Sequence, residues 1–133
     1  MRKSNTTGRS EVDPESDVLW KDATLDRIAI DYDTVVFEVV ESTGRRVQLT
    51  CRGYIGFQWL AVWDEMVIDR ATFVRRHELL DSCIRDIHRR FPATIPRSGS
   101  PARNKNDFRV LEILLDDGAT ILVAAAEFSA LAP

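Results

Sequence analysis

Apolar and polar residues alternate along much of this chain in short runs, and the densest run is 47–63, VQLTCRGYIGFQWLAVW. Val47, Leu49 and Cys51 alternate with Gln48, Thr50 and Arg52, and Ile55, Phe57 and Trp59 begin a second alternation after Gly53. A period of two marks a β-strand with two unlike faces. The block therefore predicts two strands meeting around a glycine break at the centre of a sheet. Upstream, Leu25 or Ile28, Ile30 and Tyr32 alternate with Arg27, Ala29 and Asp31, which predicts a first strand. Residues 34–41 predict another, rich in β-branched side chains. Ser42-Thr43-Gly44 then supplies a turn, so this strand and residues 46–52 should form an antiparallel hairpin. Residues 66–74 predict a shorter strand with one polar face.

The period changes once. Over 77–91, Leu80, Cys83 with Ile84, Ile87 and Phe91 recur every three or four residues and make one apolar stripe, the pattern of an amphipathic helix stopped by Pro92. Near the C-terminal end, residues 108–115 and 119–128 bracket Asp116-Asp117-Gly118, a strong hairpin signal. Both of these strands carry apolar residues on both faces. They should lie inside the sheet, or between the helix and a second layer. The expectation is an α+β fold, a mainly antiparallel twisted sheet of about six or seven strands with one packed α-helix.

Composition adds the boundaries. Residues 1–17 are polar with one isolated apolar residue, Val12, and cannot bury enough surface to offset the entropy of ordering, so they predict a disordered tail. Residues 18–133 predict a single domain with a flexible, Pro-rich loop at 92–107. A length of 133 residues suffices for one core, and the 44% apolar and 29% charged fractions are those of a soluble domain. A net charge of -3 argues against broad attraction to nucleic acid or anionic lipid. The polar N-terminus resembles no signal peptide and no run is long enough to span a bilayer, so we expect a cytoplasmic protein with neither nucleic acid nor membrane as partner. Cys51 and Cys83 form no CxxC pair and read as reduced, packed thiols.

The chemistry-bearing residues are few. His77 and His88 lie eleven residues apart on the predicted helix, about 16 Å of rise, and cannot share one metal ion. No phosphate-binding glycine loop and no nucleophile elbow occurs. We therefore expect no catalytic residue, no metal and no cofactor. Two groups join a tryptophan to carboxylates: Trp20 with Asp22, and Trp63 with Asp64 and Glu65. Tryptophan is enriched among residues that dominate binding energy, so these five are candidate partner contacts, against the alternative that each ring plugs an end of the sheet. A second candidate set, Cys51, Tyr54, Phe57 and Trp59, would line an aromatic pocket for a small ligand or substrate.

The motif W-x-D-A-x-L at 20–25, the C-x-G-x-x-G segment at 51–56, W-D-E at 63–65 and the closing D-G hairpin together resemble small bacterial proteins, among them immunity proteins of polymorphic or contact-dependent toxin systems. The likeness spans about 20–128. It implies a cytoplasmic, non-enzymatic protein that binds and blocks a cognate toxin, and contact through the acidic groups would make that toxin a basic one. Such surfaces diverge with the partner, so the resemblance carries no site residue over. The competing expectations are a small-ligand-binding or enzymatic domain built on the aromatic set, and a homo-oligomeric structural protein pairing through a sheet edge.

Overall fold

One strand, Arg46–Leu60, runs unbroken through the stretch expected to hold two. Gly53 does not end it. That residue takes a φ of 63°, and the register slips between Tyr54 and Gly56, so a bulge bends the strand and lets it continue. The computed structural model describes residues 9–60, 66–90 and 105–133. In chain order these form β1 (Ser10–Val12), β2 (Thr24–Ile30), β3 (Thr34–Val40), β4 (Arg46–Leu60), β5 (Ile68–Val74), α1 (Glu78–Arg90), a 3₁₀ turn (Lys105–Asp107), β6 (Arg109–Leu115) and β7 (Thr120–Ala132). All strands belong to one seven-stranded sheet of order β2-β3-β4-β7-β6-β5, with β1 added beside β7. Every pairing is antiparallel. The expected α+β class, both hairpins and the single packed helix are thus present.

The sheet curls until its two outer strands meet. Asp22 N donates to Ile68 O at 2.8 Å, Ile68 N to Ala23 O at 2.7 Å and Leu25 N to Met66 O at 2.9 Å, which ties the start of β2 to the start of β5. Both strands carry a register shift beside this junction, between Leu25 and Arg27 and between Ile68 and Arg70. Bulges increase local twist, which is what turning the sheet back on itself requires. The result is a barrel closed at one end.

Alternation now has a physical meaning. Val35, Phe37, Val39, Val47, Leu49, Cys51, Leu111, Ile113, Ile121 and Val123 are fully buried and fill the barrel. The outward residues Val110, Leu122 and Ala124 are buried as well, because Leu80 and Ile84 of α1, with Phe108, cover them. That is why β6 and β7 are apolar on both faces. Where α1 crosses β4, Gly56 leaves room: a Cβ there would lie 2.4 Å from Cys83 Sγ. His77 begins the helix, its Nδ1 accepting a hydrogen bond from Leu79 N at 2.9 Å.

The tail expected over 1–17 requires correction in its described part. Ser10–Val12 pairs with 130–132 of β7, and Asp13 to Asp17 close a turn. Composition counts only side-chain burial, whereas this segment is held by ladder bonds, by Val12 packing on the core and by Arg9 reaching Glu38 at 3.9 Å. Residues 1–8 and most of the expected flexible loop at 92–107 lie outside the described residues, as do Trp63, Asp64 and Glu65.

Candidate functional site, an acidic groove at a break in the sheet

The ladder beside β7 is interrupted. Pairing with β6 reaches as far as Ala125 opposite Arg109, and pairing with β1 starts at Ala130 opposite Val12. Residues 126–129 lie between these limits, with β4 on one side and, among the described residues, no paired strand on the other. Pro14 follows β1 closely, has no N–H to offer a ladder, and turns the chain away. A groove of about 480 Å³ opens at this break.

Its floor is aromatic. The rings of Phe73 and Phe128 meet edge to face, with centroids 5.1 Å apart and planes at 77°. The Arg109 guanidinium carbon lies 5.4 Å from the first centroid and 5.5 Å from the second, within cation–π range of both. Its Nη1 is 3.7 Å from Glu15 Oε1. Ser129 completes the floor.

The wall is acidic, contributed by Glu11, Asp13, Glu15 and Asp17. Asp13 Oδ1 accepts from Glu15 N at 2.8 Å and Ser16 N at 3.2 Å, while Asp13 N donates to Asp17 Oδ2 at 2.9 Å. The backbone donors of Glu15 and then Ser16 hold the Asp13 carboxyl below the usual range, so it stays ionised. Three further bonds fix this turn to the barrel. Arg45 Nη2 donates to Asp17 O at 2.7 Å, Leu19 N to Glu41 Oε2 at 2.9 Å, and Trp20 Nε1 to Pro14 O at 2.9 Å. Glu41 is itself buried and bound to Arg45 Nε at 2.8 Å. Four carboxylates against one guanidinium give the lining a formal charge of -3. They are spread along the wall, and among the described residues no three His, Cys, Asp or Glu are grouped as a metal site.

The expected partner contacts fare unevenly. Trp20 is 7% exposed and belongs to the core, its ring 6.5 Å from Phe73, so it supports the groove from beneath and presents little to a partner. This corrects its assignment to a contact surface: a ring that plugs the barrel end is already fully used. Asp22 is exposed, at a φ of 67°, beside the Lys21–Asp69 ion pair of 2.8 Å and away from the groove. Of the aromatic set, Tyr54 and Phe57 pack against the barrel core that holds Cys51. Cys51 is fully buried in the barrel, where burial pushes its thiol far above the ordinary value. Tyr54 donates to Asp31 O at 3.2 Å, while Phe57 and Trp59 meet edge to face at 6.4 Å with Trp59 half exposed. Neither the groove nor a smaller one of about 230 Å³ on the outer face of β2, β3 and β4 is lined by any of the four.

The groove residues were hidden because they come from four separate stretches of chain. The one available signal was the acidic residue at every second position over 11–17, with Val12 between the first two. No protein-family model matches the chain, and no curated protein or solved structure does.

Proposed function

We propose that this chain is a non-enzymatic, cytoplasmic protein-binding module of the immunity type, which uses the acidic groove to engage a basic surface of a protein such as a toxin. The observation that carries this reading is the wall itself. Two of its carboxylates, Asp13 and Asp17, are tied into the turn by backbone N–H donors before any partner arrives, and the Glu41–Arg45 pair anchors that turn from behind. A preordered charged surface spends little entropy on binding, and its field speeds encounter with a protein of opposite charge. The aromatic floor would add contact area next to that charge.

The test is kinetic. A binder recovered at low salt should associate with the native chain at a rate that falls as salt rises. A Glu11→Gln/Glu15→Gln chain should associate roughly tenfold more slowly at low salt, with the difference shrinking at high salt. Equal association rates for the two chains at both salt concentrations would refute the reading. One observation favours a second reading, that of a small organic cation as ligand: the groove volume of about 480 Å³ lies in the range of small-molecule sites. Calorimetry showing such a cation bound with the protein partner absent would favour it.

A further inference from the structure

Resting on the reading above, we propose that the group recognised in the groove is the guanidinium of an arginine side chain on the partner, stacked against the Phe73–Phe128 pair and held by Glu11 and Glu15. The chain already displays this mode of binding on itself. Arg109 lies within 5.5 Å of both ring centroids, with the Glu15 carboxylate at 3.7 Å and the Asp13 carboxylate within its field. A planar guanidinium stacks on aromatic faces and forks onto carboxylates, whereas an ammonium is a compact, strongly hydrated charge. The site is therefore built for arginine in preference to lysine.

Charge complementarity argues for a second cation beside the first. The four wall carboxylates exceed Arg109 by three charges. Glu15 keeps 57% of its side-chain surface exposed, so an incoming group can reach it. Arg109 meets Glu15 at the long end of the ion-pair range and is 32% exposed, which leaves it able to swing aside. Ser129, in the stretch of β7 paired with β4 on one side alone among the described residues, lines the same groove. On this view Arg109 is an internal competitor that keeps the aromatic floor covered until a better-bonded guanidinium displaces it.

The experiment is a titration of the isotopically labelled full chain with triarginine, trilysine and triglutamate peptides, followed by amide chemical shifts. Triarginine should move the amides of Glu11, Glu15, Phe128 and Ser129 and bind about threefold or more tighter than trilysine, with triglutamate inert. Glu15→Gln should weaken triarginine about fivefold, and Arg109→Gln should tighten it about threefold, by removing a like charge and freeing the rings. Phe128→Leu should erase the arginine preference if Arg109→Gln disturbs the fold. Equal arginine and lysine affinities, shifts scattered over all acidic residues, or an Arg109→Gln chain that binds no tighter would overturn the proposal. The salt-dependent association of the recovered partner is measured separately. If that persists while triarginine fails, the acidic docking surface stands and arginine recognition falls.

Discussion

Replacing Glu41 with glutamine tests how the groove wall is held. The Glu41 side chain is 1% exposed, and its two oxygens accept four hydrogen bonds: Arg45 Nε at 2.8 Å, Arg45 Nη2 at 2.9 Å, Leu19 N at 2.9 Å and, at 3.4 Å, the Thr43 hydroxyl. Glutamine keeps the size and one acceptor, but turns the other oxygen into an amide that faces the Arg45 guanidinium donor to donor. A hydrogen bond to a charged group contributes about 1.5–3 kcal/mol. Arg45 is 32% exposed, so water recovers part of what it loses. A net loss of about 2–3 kcal/mol follows, short of the ~3–5 kcal/mol of a fully buried pair. For a domain of this size that lowers Tm by roughly 6–15 °C.

The same carboxylate predicts a pH dependence. The Arg45 hydrogen bond, then the Leu19 N–H and the Arg45 charge, hold Glu41 below its ordinary value against the opposing effect of burial. Its stabilisation is complete above the unfolded pKa of about 4.3 and is lost as pH falls through the lower, folded value. Urea unfolding of both chains at pH 7 and pH 3 is the assay, with amide exchange of Leu19 reporting release of the wall. The gap between them should narrow at the acid end. A loss under about 0.5 kcal/mol, or a gap identical at both pH values, would refute the assignment.

Gly56→Ala should destabilise by about 1–3 kcal/mol, because its Cβ would sit 2.4 Å from Cys83 Sγ, and adding Cys83→Ala should recover most of that in a double-mutant cycle of denaturant unfolding. Trp20→Ala should cost about 3–5 kcal/mol as a core truncation, while Trp20→Phe, which mainly removes the hydrogen bond to Pro14 O, should cost about 1 kcal/mol by the same measurement. Cys51 should resist a thiol-labelling reagent in the native protein and react on unfolding, since burial keeps it protonated; mass spectrometry of the labelled peptides would expose the contrary.

Local signals recovered the elements better than their ends or their assembly. The turns at Ser42-Thr43-Gly44 and Asp116-Asp117-Gly118 specify both hairpins through chemistry that operates over four residues, and α1 follows from the apolar stripe of Leu80 and Ile84. Gly53 reads locally as the end of a strand, because a glycine that bends a strand and a glycine that ends one look alike until β7 is seen pairing past it on the other side. The site depended still more on distance along the chain. Phe73, Arg109 and Phe128 belong to three different strands, and Glu11 joins them only because β1 pairs with the far end of β7. Trp20 misled for a related reason: amphipathic residues serve cores and interfaces equally, and the Pro14 carbonyl that satisfies its indole is six residues upstream in a stretch that composition alone leaves unordered.

The central place of β7 also sets an order for folding. The meander β2-β3-β4 can form from neighbouring residues, yet until β7 has been synthesised its last strand β4 is an edge fifteen residues long. Long unpaired edges template wrong partners, and pairings between distant residues form slowly. A nascent chain must therefore shelter β4 until residues 120–132 arrive, and at that moment β7 seals β4, pairs with β6 and receives β1. Cleavage between β6 and β7 should do more than trim the fold. It should leave a half-sheet with an exposed strand, prone to aggregation and lacking the groove altogether.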